Sequence, residues 1–214
     1  MADQQDPAQS WEPIQVFFEG DLPSQLADLR SLEADFKFAR NCAAAFVNAD
    51  KLRGGDEESM KVVRQALWSS AAISCRRGFT TGKAHLLPQG KRLKVPDHWK
   101  ELLSPEQLEA HDQVLDIANR HIAHRVDKRE HMNVAALLTP PPMPRAIAGI
   151  AVLSVTRSVP QPDLVVRLGQ LCTILLKILH DRFERLGDAF REHVKSQDLD
   201  SLYETASGTS DSTE

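Results

Sequence analysis

Between Asp116 and His131 the chain carries three histidines and three arginines within 16 positions, a density of proton-transferring and anion-binding side chains that no other window approaches. At about 100° per helical residue, Arg120 and His124 fall one turn apart on a helix surface, as do His121 and Arg125. A histidine near neutral pKa can move a proton, while Arg120 or Arg125 holds a phosphate or stabilises developing charge. Metal-independent RNA cleavage needs only these groups and the 2′-hydroxyl of the RNA. The plainer alternative is a solvated helix end whose cations complement the C-terminal helix dipole. His121, His124 and Asp127, each three residues from the next, could also face one ion. No cysteine or second histidine-bearing helix completes a ligand set, so no metal and no cofactor is expected.

A second cationic feature is Arg76-Arg77-Gly78-Phe79. Its arginines are a candidate anion contact if their helix neighbours the cluster, and with His121 and Arg129 they are the candidate nucleic-acid contacts. The alternative is a basic last turn closed by a glycine cap. Thr80-Thr81-Gly82-Lys83 is not a phosphate-binding P-loop, because it lacks the first glycine at the required spacing and the strand-loop-helix setting.

The elements that must position these groups are mostly helical. Apolar residues from Leu22 through Leu26, Leu29, Leu32, Phe36, Ala39 and Ala43 to Phe46 recur at helical spacing, which predicts a helix over 22–48. Gly54-Gly55 break the chain, and Asp56-Glu57-Glu58 open a second helix with Met60, Val63, Leu67, Ala71 and Ser74-Cys75 on its buried face, widened by Val62, Ala66 and Trp68. It stops near Gly78. Residues 79–103 read as a long surface connection. Ser104-Pro105-Glu106-Gln107 is a capping box with proline at the first helical position, and the third helix it starts has Leu108, Val114, Leu115, Ala118, Ile122 and Val126 as its stripe. Residues 133–159 read as two short strands about Pro140-Pro141-Pro142-Met143-Pro144, with helix as the alternative left open by alanine and the continuous apolar runs. Asp163 to about Tyr203 is a long amphipathic helix with a break near Ser196.

Composition narrows the class. A chain of 214 residues holds one domain with room for a continuous core, and a net charge of −4 confines any RNA contact to a local patch. Cys42, Cys75 and Cys172 lie in apolar helical patterns and read as small core residues of a reducing compartment. The acidic start lacks signal-peptide order, and no apolar run reaches the about 18 residues of a spanning helix, which makes the cytoplasm the expected location and excludes a membrane. Residues 1–20 read as a disordered arm with a possible docking strand at Ile14–Phe18, residues 21–205 as the helical domain, and 206–214 as a disordered tail.

With Asn119-Arg120-His121-Ile122-Ala123-His124 near the end of a helix and a long final helix following, the chain resembles the HEPN superfamily (higher eukaryotes and prokaryotes nucleotide-binding), small helical bundles of which many are metal-independent endoribonucleases. In that family an arginine, a polar residue, a short gap and a histidine form the catalytic motif, usually assembled across a dimer. Asn119 matches the polar position and His124 the histidine. Ala118 stands where the arginine belongs, while Arg120 is two positions late. Arg125 and His131 fit the loose spacing, with Val126 at the polar position. The periodic faces require mutual burial, which predicts an antiparallel bundle of about four principal helices with a small β-hairpin insertion at the proline-centred segment, and the resemblance implies a homodimer. Asn119, Arg120, His124 and Arg125 are the candidate catalytic residues. With the arginine lost, a noncatalytic RNA- or nucleotide-associated module is the favoured reading; a nuclease using His124 with a displaced arginine and a plain interaction domain are the alternatives.

Overall fold

Two of the helices begin at caps written into the chain. The Asp56 carboxylate accepts from the Ser59 backbone N–H at 2.7 Å and starts α2, Glu57–Arg77. Ser104 and Gln107 satisfy one another's backbone N–H groups, at 2.9 Å and 3.3 Å, and start α3, Pro105–Ile117. The computed structural model describes residues 13–49, 56–80, 95, 97–122, 130–156 and 160–208. Besides α2 and α3 it contains α1 (Asp21–Asn48), α4 (Pro162–Lys195), α5 (Leu199–Gly208) and two strands, β1 (Glu130–Leu138) and β2 (Ile147–Thr156). The chain is therefore mainly helical with one small antiparallel sheet.

The core lies where α1 packs along α4 and against α2, with α3 closing over α4 and α2. Leu29, Leu32, Phe36, Ala39, Ala43 and Phe46 of α1 are buried, as the spacing predicts. They meet Val165, Leu168, Leu171, Leu175 and Leu179 of α4. Farther along α4 the cover thins, and the Arg30 guanidinium lies 4.1 Å over the Phe183 ring. All three cysteines are buried. The Cys75 thiol, hydrogen-bonded to Cys172 and fully desolvated, is pushed well above the usual thiol range.

Four expectations need correction. In α2, Val62, Val63 and Ala66 are exposed, and burial begins at Trp68 and continues through Ala71, Ala72, Ser74 and Cys75, so only the second half of the helix belongs to the core. The connection after α2 is more than a surface strap: Val95, Trp99 and Leu103 are buried, the last two around a 3₁₀ turn at Asp97–Leu102. α3 gives way at Ala118 to a wider π-type turn, Ala118–Ile122, and Val126 lies outside the described residues. At the other end, the break after Lys195 is followed by α5, which continues past Ala206 to Gly208, and Ala206 is itself buried. The arm before α1 is irregular from residue 13 to 19, and Phe18 sits edge-on to Phe190 of α4 at 5.2 Å.

β1 and β2 pair antiparallel from Glu130 opposite Thr156 to Leu138 opposite Ile147, with an irregularity at Leu137/Leu138. Thr139 closes their loop: its backbone N–H donates to the Ala146 carbonyl at 3.0 Å and its hydroxyl accepts from the Ala146 N–H at 2.9 Å. Among the described residues no helix is long and apolar enough to cross a membrane.

Gly78 caps α2 with an ordinary right-handed backbone, φ −67°, so the left-handed freedom of glycine is not what the position requires. What it requires is space. A methyl group there would run into the buried Phe36 ring of α1. Gly78→Ala is expected to destabilise the chain by about 1–3 kcal/mol, the usual cost of overpacking. Urea unfolding followed by helical circular dichroism checks it, and an unchanged midpoint would mean that the Phe36 ring yields freely.

Candidate functional site

Ala118 is fully buried, and its backbone N–H donates to the Val114 and Leu115 carbonyls as α3 ends. The π-type turn that follows widens the backbone by a fraction of a turn, a geometry common at functional sites. Asn119 is thereby half-buried against α2, while Arg120 remains exposed. The Asn119 side-chain carbonyl accepts a hydrogen bond from Nε of Arg76, 43 residues earlier in the chain. Arg76 thus reaches the start of the Asp116–His131 window through Asn119.

The neighbouring arginines behave differently. Arg120 Nε lies 2.7 Å from Asp116 Oδ1, one helical turn back. Arg77 turns to α1, where its guanidinium donates to Asp35 Oδ1 at 2.9 Å. Arg77 therefore tethers two helices and is not gathered to Asn119. Arg76 alone of these three meets a neutral amide, and among the described residues it has no ion pair. An amide acceptor orients a guanidinium without neutralising it, which leaves its N–H fork charged for a planar or tetrahedral anion.

The backbone of His121 lies in the π-type turn, so α-helical spacing no longer sets which residue is its neighbour one turn on. His124, Arg125 and Arg129 lie outside the described residues. Among the described residues no group of three or more histidine, cysteine, aspartate and glutamate side chains could hold a metal ion. Ala118 faces the core, and an arginine at this position would have to bury its charge among Val114, Ile117 and their neighbours.

One titratable residue of the region escapes sequence reasoning. His111 is buried, its ring 4.6 Å from Phe79 and 4.5 Å from Trp99. Its Nδ1 contacts Asp112 Oδ1 at 2.9 Å, and Nε2 is buried without a partner. The available signal was its place three residues after Leu108 and three before Val114, on the apolar stripe of α3. Burial pushes its pKa down and Lys100 adds to the shift, while Asp112 opposes it.

A histidine whose folded pKa is depressed binds its proton more readily when unfolded. Its contribution to stability is therefore intact above the unfolded pKa of about 6.5 and is lost as pH falls through the lower folded value. The melting temperature of the wild type is expected to fall more steeply from pH 7 to pH 5 than that of His111→Phe. Parallel slopes would show that His111 is not titrating against the fold. No family model, no curated protein and no solved structure matches this chain.

Proposed function

We propose that the chain is a HEPN-like helical module that associates with RNA or a nucleotide through phosphate, without cleaving it, as a cytoplasmic homodimer whose α1–α4 form an antiparallel four-helix bundle. The observation that carries the reading is Arg76, held by the neutral Asn119 at the end of α3 with its charge uncompensated among the described residues. A phosphate would take the free face of that guanidinium. Ala118 supports the noncatalytic form, because a small buried residue stands where the resembling family carries its catalytic arginine.

One observation favours a second reading. Arg76 brings from α2 the cation that position 118 lacks, so an endoribonuclease with Arg76 on the phosphate and His124 moving protons is the alternative.

A labelled single-stranded RNA and a nucleoside triphosphate, each titrated at low salt with chelator present, separate the two. Binding without cleavage is expected, and Arg76→Ala should weaken it about tenfold or more, the scale of a lost charged hydrogen bond. Arg120→Ala, whose partner is already Asp116, should matter less. Cleavage that His124→Ala lowers by roughly 10²- to 10⁴-fold would establish the nuclease in its place. Absence of binding to both probes, at the ionic strength where electrostatic binding is strongest, would leave only a helical protein-interaction domain.

A further inference from the structure

His111 is 5% exposed, yet the rings that enclose it come from the chain between α2 and α3. Trp99 lies 4.5 Å and Phe79 4.6 Å from it, and the two aromatic rings are 5.0 Å from each other. The 3₁₀ turn that carries Trp99 packs extensively against no helix. It is held by the inserted side chains of Val95, Trp99 and Leu103, and by the Val95 backbone N–H, which donates to the Gly78 carbonyl at 3.3 Å. A titratable ring is thus part of the seat of a segment with few other ties among the described residues.

The neighbours fix which nitrogen can take up a proton. Asp112 Oδ1 lies 2.9 Å from His111 Nδ1, and a carboxylate only accepts, so Nδ1 carries the hydrogen of the neutral ring. A second proton has one place to go, Nε2, which is buried and meets no polar group among the described residues. A charged donor enclosed there gives up its hydration with no acceptor to replace it. The charges acting on the ring come from two elements: Asp112 of α3 favours the proton and Lys100 of the 3₁₀ turn opposes it, with burial, the largest influence, on the side of Lys100. Among the described residues α1, α2 and α4 bring it no charge.

We infer that His111 is an acid-operated latch: a proton reaches Nε2 only when the segment carrying Val95, Trp99 and Leu103 lifts from α3, so acid favours that opening while the helices stay packed. The α1–α4 and α1–α2 seams form without this segment, which makes the opening local. Phe79 shares the seat, and its backbone N–H donates to the Arg76 carbonyl at 3.0 Å, so the latch bears on the turn of α2 that presents Arg76. That last consequence rests on the anion-binding reading of Arg76; the latch itself does not.

Hydrogen exchange of the isotope-labelled full chain from about pH 7.5 to 5, corrected for the intrinsic pH dependence of exchange, is the test. The Val95 amide, bonded to the Gly78 carbonyl, reads the latch, and the Leu171 amide, within α4, reads the core. The opening constant at Val95 is expected to exceed that at Leu171 by about tenfold or more, as a local opening does. Below the unfolded histidine pKa of about 6.5 it should rise by up to about tenfold per pH unit. His111→Phe and His111→Leu should each flatten the rise, and either decides the matter if the other fails to fold. A Val95 constant that ignores pH in the wild type, rises as steeply in a folded variant, or equals that at Leu171 would overturn the latch. Labelled RNA that binds the wild type more weakly at low pH, and His111→Phe equally at both, would carry the latch to Arg76, whereas equal losses in both proteins would overturn that extension. Absence of RNA binding at every pH would fail the anion-binding reading, and the exchange results would still decide the latch.

Discussion

The seat of Phe36 against Gly78 is the contact on which the geometry of the candidate site depends. Phe36 projects from the middle of α1 into the core, and α2 can end against it only because Gly78 has no side chain. That contact sets how α2 lies on α1, and with it where the last turn of α2 delivers Arg76 and Arg77. One arginine is left beside α1, where Asp35 holds it, and the other beside the end of α3, where Asn119 does. Phe79 continues the seam, with its ring 6.0 Å from Phe36 and 5.0 Å from Trp99. The aromatic contacts then pass to His111 and so to α3 itself. A steric allowance of one methyl group thus connects three helices to the position of one guanidinium.

The helices whose beginnings are chemically marked were the most legible. Asp56 before Ser59 and Ser104 before Gln107 satisfy N–H groups that any helix start leaves open, so local chemistry alone predicts them. The faces of α1 and α4 were legible because a long regular stripe has one economical way to leave water. The first half of α2 was misread for the complementary reason. Val62 and Val63 are spaced as a buried face would be, but periodicity does not say how far along its length a helix is covered. Val95 and Trp99 were hidden by their setting among glycine, proline and lysine, where no period exists to reveal an inserted apolar side chain.

The candidate site shows the same division. Asn119 and Arg76 were each identifiable by type, but their hydrogen bond spans 43 positions and depends on how α2 crosses α3, which pairwise spacing cannot supply. The π-type turn at Ala118–Ile122 defeats α-helical counting within the Asp116–His131 window. His111 shows the reverse case: its position in the apolar stripe of α3 implies burial, but its contacts with Phe79 and Trp99 depend on how the segment after α2 folds over α3.

The paired thiols of Cys75 and Cys172 give the molecule an internal reporter. A thiol reacts as its thiolate, and Cys75, buried and held in the protonated form, offers almost none. Both sulfurs are buried in the shared core, so an alkylating reagent reaches them only when the helices around them open. Cys42, on α1 and likewise pushed upward by burial, reports on the opening of a different seam. The order in which the three sulfurs become modified would therefore trace the sequence in which the helices separate, without any label being added to the chain.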